Sequence, residues 1–168
     1  MSAGLLFLRV VVGLVFFAHG AQKLFGWWGG PGLQGTKGWL AGMGFRMPGP
    51  MALTVAVSEA SGLLFAVGFL TPLAALLMAS SMVVAIGSVS WRNGFWITSQ
   101  GYEYNLVLAV VPVAFAATGP GRYSIDHALN WDDNLSGTSW GVAVLVLAVV
   151  GALFVLTVMR EPRTAAAA

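Results

Sequence analysis

The sequence predicts an all-α integral membrane protein, a bundle of membrane-spanning helices, and three observations carry that expectation. Of its 168 residues, 58% are hydrophobic and only 8% charged, whereas a soluble domain carries about 25% charged residues. The mean hydropathy is +0.82. The apolar residues gather into five segments of about 20 residues, the length that crosses a bilayer core. Seven tryptophans suit the aromatic belts at the two membrane–water interfaces.

The first segment, 4–26, begins after Met1-Ser-Ala-Gly4, which lacks the positive region of a signal peptide, so it reads as a retained helix. It carries Arg9, His19 and Lys23. At about 100° per residue these three share a face with Gly13, Phe16 and Gly20, while Val11, Leu14, Val15 and Ala18 take the other. The connection 27–49 contains Trp27, Trp28 and Trp39 among many glycines. The helical spacing of Leu33, Thr36, Leu40 and Met43 suggests a short interfacial helix, and a glycine-rich loop is the alternative.

The second and third segments, 50–70 and 72–90, are separated by Leu70-Thr-Pro72, a tight hairpin with Pro72 in the first turn of the next helix. Ser58, Ala60, Ser61 and Gly62 match Gly13 and Gly20, so the first two helices should pack closely. The fourth segment spans 102–118, and a polar connection, 119–138, leads to the fifth, 139–159. With five spans, Lys23, Lys37, Arg46, Arg92, Arg160 and Arg163 fall on one side. Arg9 and Arg122 fall on the other, beside Asp126, Asp132 and Asp133. The excess of Lys and Arg marks the cytoplasmic side, giving a plasma-membrane protein with its N-terminus outside and its C-terminus in the cytoplasm.

Ionisable groups in hydrocarbon need partners or a function. Depth, taken at about 1.5 Å per residue, suggests three pairs: Lys23 with Glu103, His19 with Glu59, and Arg9 with Asp126. Such pairs can simply fix helix packing. Glu59 is the exception, because it lies near the mid-plane, where an ionised carboxylate is most costly. His19 and Glu59 are therefore the candidate catalytic pair. Arg9, His19, Lys23, Glu59 and Glu103 are the candidate ligand-binding set.

Composition excludes several chemistries. With no cysteine there is no dithiol chemistry and no thiolate or iron–sulfur ligation within the chain. One histidine in the apolar segments cannot hold a bis-histidine haem or build a zinc or copper site, so no haem and no metal are expected. No flavin or dinucleotide fingerprint, phosphate loop or nucleophile elbow occurs. A net charge of +2 without a polybasic run argues against nucleic acid. What remains are groups able to hydrogen-bond a quinone head and relay its protons, to hold a small anion, or only to hold the bundle.

At these residues the chain resembles the DoxX family of small membrane proteins. The likeness rests on Arg9-x3-Gly13-x2-Phe16-x2-His19-Gly20-x2-Lys23-Leu-Phe-Gly26, then Glu59-x2-Gly62-Leu-Leu and Ala74-Ala-Leu-Leu-Met78. It continues in Gly101-Tyr-Glu103 and Gly119-Pro-Gly-Arg-Tyr-Ser-Ile-Asp126. The resemblance implies a four-helix membrane bundle over residues 1–128. Residues 129–168 then add a polar loop, a fifth transmembrane helix and a short cytoplasmic tail. The family includes the quinone-reducing membrane subunit of an archaeal thiosulfate:quinone oxidoreductase. The leading expectation is thus a membrane subunit of a redox or respiratory complex that touches quinone, among lipids and other membrane subunits. The alternative is a non-catalytic accessory subunit that anchors a larger complex, and a small-solute transporter ranks below both. Whether the chain itself catalyses anything stays open.

Overall fold

The computed structural model describes residues 2–161. Helix α1 (Ser2–Phe25) forms the whole first segment and ends at Gly26, whose φ of 72° turns the chain into a short 3-10 turn, Trp27–Gly29. Helix α2 (Gly32–Gly42) follows, so the interfacial stretch is a helix, with Thr36 and Leu40 turned inward. Helix α3 (Pro48–Ala60) loosens at Ser61 and continues as α4 (Gly62–Val67). Helix α5 (Thr71–Ala85) runs on through a π-helical turn, Ile86–Ser90, and a 3-10 turn, Trp91–Asn93. A further 3-10 turn, Ile97–Ser99, leads to α6 (Glu103–Thr118). The short α7 (Ile125–Ala128) precedes α8 (Thr138–Val158).

Among the described residues, four helices are long and apolar enough to cross a membrane: Ala3–Phe25, Pro48–Val67, Thr71–Asn93 and Thr138–Val158. The fourth apolar segment is shorter. Its helix α6 has 16 residues, about 24 Å at 1.5 Å per residue. Its ends nevertheless reach opposite faces of the bundle. Asn105 donates to Ser90 Oγ at the end of the third span (3.3 Å), while Ala117 lies against Gly141 at the start of α8. The chain is therefore an all-α integral membrane bundle, with five apolar helices side by side.

Close approach explains the small residues. A Cβ on Gly13 would sit 2.7 Å from the Ala66 nitrogen, and one on Gly20 would sit 2.7 Å from Ala60 Cα. One on Gly62 would meet Phe16 Cβ at 2.6 Å. These glycines let α1 lie directly on the α3–α4 span. The core beside them holds Phe16, Phe65, Met78 and Phe115, with the Phe65 and Phe115 rings edge to face at 5.1 Å. Helix α8 joins this core through Val144 and Ala148, buries Ala152 one turn further on, and turns Val142, Leu145 and Leu153 outward to lipid.

The far end of α8 is tied down by backbone pairing. Arg46 N–H donates to the Met159 carbonyl (2.9 Å) and Glu161 N–H to that of Gly44 (2.8 Å). Arg160 Nε donates to Met43 O (3.0 Å). The fifth helix is thus stitched to the α2–α3 connection. Lys23, Lys37, Arg46, Arg92 and Arg160 lie toward this face, while Arg9 and Arg122 lie toward the other with the three aspartates. Arg163, which belongs to the same count, lies outside the described residues.

Arg9 and Asp126 do not form the direct ion pair that depth matching suggests. Both are almost wholly buried, but each is satisfied by backbone. Arg9 donates to the carbonyls of Ala66 (3.1 Å), Tyr123 (2.6 Å) and Pro120. Asp126 accepts from the amides of Leu70 (2.8 Å) and Thr71 (3.0 Å) and from the Thr71 hydroxyl (2.7 Å). The cause is the α4–α5 hairpin, which leaves free carbonyls at one helix end and free amides at the next start. A cation at the first and an anion at the second also complement the two helix dipoles.

Two expectations follow. Gly20→Val should lower unfolding stability in mild detergent by about 1–3 kcal/mol through overpacking, while Gly4→Val, with open space around it, should stay within about 0.5 kcal/mol. Asp126→Ala should cost about 1–3 kcal/mol by stranding the Leu70 and Thr71 amides. An unchanged melting curve for Asp126→Ala would show that those amides find other acceptors.

Candidate functional site

The polar face of α1 meets α3, α5 and α6 around a cavity of about 170 Å³. Helix α1 contributes Phe16, His19 and Lys23, members of one face at spacings of three and four, and also Val15, which the helical wheel assigns to the other face. Glu59 comes from α3, Met82 and Ala85 from α5, and Tyr104, Asn105 and Leu108 from α6. Apolar side chains, among them Phe16, Met82, Ala85 and Leu108, make up the rest of the wall beside His19, Lys23 and Glu59. A larger groove of about 230 Å³, between Pro72–Leu76 and Trp140–Leu147, is lined by apolar side chains and carries no ionisable group. It suits a lipid chain better than chemistry.

Inside the cavity, Lys23 Nζ is ion-paired to Glu59 Oε2. The Glu59 side chain is 6% exposed and that of Lys23 20%. Two expected pairings are therefore corrected: Glu59 takes Lys23 as its direct partner, not His19, and Lys23 does not reach Glu103. Side chains tilt toward the N-terminus of their own helix. Lys23 sits near the end of α1, so its stem reaches inward. Glu59 sits deep in the antiparallel α3, so its carboxylate leans outward to meet it. Matching Cα depths misses this convergence of about one turn. His19 lines the same cavity at its open side, exposed and not buried as its place among the inward-facing groups of α1 suggests, and makes no side-chain hydrogen bond among the described residues.

The remaining candidates lie elsewhere. The Glu103 carboxylate accepts from the Ile97 amide (2.9 Å) and so closes the 97–99 turn. Arg9 stands at the opposite face in the hairpin clamp. Neither lines the cavity. The second histidine, His127, pairs with Asp132 at 2.6 Å outside the spans, and this hydrogen bond holds the Asp132 carboxyl below the usual carboxylate range. Tyr104 and Asn105 are site residues that residue-by-residue reading overlooks, although an asparagine inside an apolar segment is a usable signal.

The sequence comparisons agree with one another. The DoxX family model matches residues 4–91, just over half of the chain. The chain is 30% identical to inner membrane protein YqjF of Escherichia coli (strain K12) over 130 residues, covering 77% of this chain and 94% of that protein. It is 29% identical to putative oxidoreductase CatD of Bacillus subtilis (strain 168) over 124 residues, covering 73% of this chain and 84% of that protein. No solved structure matches significantly.

The Lys23–Glu59 pair should behave as a unit. Lys23→Met leaves a buried carboxylate uncompensated and should cost about 3–5 kcal/mol, the usual loss when one partner of a buried pair is removed. Adding Glu59→Gln should recover much of that loss, measured as unfolding free energy in detergent. Additive single-variant effects would show that the two groups are not coupled.

Proposed function

We propose, from the premise that this chain belongs to the DoxX family, that it is a membrane subunit of a redox assembly and binds a quinone-type head in the cavity against His19, Lys23 and Glu59. The observation that carries this reading is the cavity itself: a buried ion pair and a histidine without a hydrogen-bond partner among the described residues share one space between four helices. At about 170 Å³ it compares with the engineered cavity of about 150 Å³ that accepts benzene, so a six-membered ring fits. The donor set suits such a ligand. Imidazole and ammonium N–H groups donate to carbonyl oxygens, and the carboxylate can hold or pass on a proton. A bound quinone would supply the two-electron chemistry that this cysteine-free chain cannot. The chain's own residues would bind, orient and exchange protons with it.

The printed name of the Bacillus subtilis relative, putative oxidoreductase, points the same way. Basic residues clustered toward the α2 side orient the chain with that face in the cytoplasm and the N-terminus outside. The electron donor would be a separate subunit. An accessory role without ligand binding is the competing reading, favoured by the outward-facing apolar side of α8.

Binding of a soluble quinone analogue to purified wild-type and variant protein decides between them. Wild type should bind, and His19→Ala and Glu59→Gln should each weaken binding by about tenfold or more, one lost hydrogen bond to a charged or polar group being worth about 1.5 kcal/mol. Equal affinity in His19→Ala would remove His19 from the role. Absence of binding to the wild type would favour the accessory reading.

A further inference from the structure

Lys23 stands where three cavities meet. Beside α2, an open chamber of about 360 Å³ is lined by Lys23, Pro31, Thr36 and Trp39. Lys23 and Trp39 also wall a small inner cavity of about 50 Å³ whose lining includes Glu59, Ser81 and Ser88 among apolar side chains such as Leu40 and Val84. Beyond Glu59 lies the cavity with His19. A buried water needs about 10–15 Å³ and two to four polar partners. Lys23, Glu59, Ser81 and Ser88 supply the partners. The two serine hydroxyls donate to the carbonyls of Met78 (2.9 Å) and Val84 (2.7 Å), which leaves their lone pairs facing other donors. The π-helical turn that starts at Ile86 opens α5 at this level. Toward the opposite face the bundle is filled by the packed side chains of Phe65, Met78 and Phe115.

We propose that a hydrated path runs from the α2 face through the inner cavity to Glu59, and that the Lys23–Glu59 ion pair is its gate. A proton arriving as hydronium from the outer chamber converts the Glu59 carboxylate to the neutral acid and leaves water behind; no other bond changes. Neutral Glu59 no longer holds the ammonium by charge, so Lys23 can swing toward the outer chamber while the proton faces His19. The site would then draw its protons from the α2 face. This deepens the reading above and rests on it only for the use made of the proton.

The absence of cysteine makes single thiols clean reporters. Lys37→Cys on α2 and Tyr123→Cys, both exposed, mark the two sides of sealed vesicles. Ser81→Cys and Ser88→Cys report the inner cavity. Silver ion is added on one side, and remaining thiols are counted with a maleimide after denaturation. Ser88→Cys and Ser81→Cys should react from the side that reaches Lys37→Cys. Breaking the gate with Lys23→Ala, or with the isosteric Glu59→Gln, should speed the Ser81→Cys reaction about tenfold, equivalent to a barrier lowered by about 1.4 kcal/mol, with the Lys37→Cys rate unchanged. Reaction from the Tyr123→Cys side, no reaction at either serine position, or rates indifferent to both gate variants would overturn the path. Quinone-analogue binding is measured separately, so the path and the ligand reading can fail independently.

Discussion

Hydrocarbon offers no water to a buried charge, and the way this chain satisfies Arg9 sets its architecture. The guanidinium fork reaches the last turn of α4 and the 120–123 loop at once. Asp126, three residues beyond Tyr123, holds the start of α5. Together they fix the hairpin between the second and third spans, the loop after the fourth, and the depth of α1 against both. The glycine contacts of α1 with α3 and α4 are possible only in that register. A planar five-donor group suits three divergent carbonyls in a way that a lysine's point charge does not.

The second set of charges has a different character. Arg9 and Asp126 are buried and saturated mainly by backbone groups, an arrangement that holds the fold together. Lys23 and Glu59 have one strong contact between them and open volume on both sides. A charge pair saturated by backbone is rigid, whereas a pair bordered by cavities can exchange partners with water or a ligand. That contrast is why the proposed ligand site lies at the α2 end of the bundle and not beside Arg9.

Much of this was legible in residue order. The apolar segments, the hairpin at Leu70–Pro72, the tight glycine packing of the first two helices and the helical spacing through Leu33–Met43 all follow from periodicity and residue size. The shared face of His19 and Lys23 and the unusual position of Glu59 were equally readable. The pairing of acids and bases was not. Depth along a helix follows from rise per residue, but partner choice depends on azimuth and on the tilt of each side chain toward its own N-terminus. Backbone acceptors such as Ala66 O and Tyr123 O are also invisible to any matching of side-chain charges. The brace between Arg46, Met159 and Glu161 joins segments far apart in the chain through main-chain atoms alone, so no side-chain pattern announces it.

By itself, then, the sequence determined a membrane-embedded helical bundle of the DoxX kind, with a polar, glycine-notched first helix that carries Arg9, His19 and Lys23 on one face. Segment length, apolarity and the 3.6-residue period suffice for that, because the bilayer permits few alternatives. Only the tertiary structure decided that Glu59 belongs to Lys23, that Arg9 and Glu103 hydrogen-bond to backbone groups and not to the expected charged partners, and that space remains beside His19. Those outcomes turn on how neighbouring helices rotate and on where their ends leave unpaired carbonyls and amides, which packing in three dimensions settles.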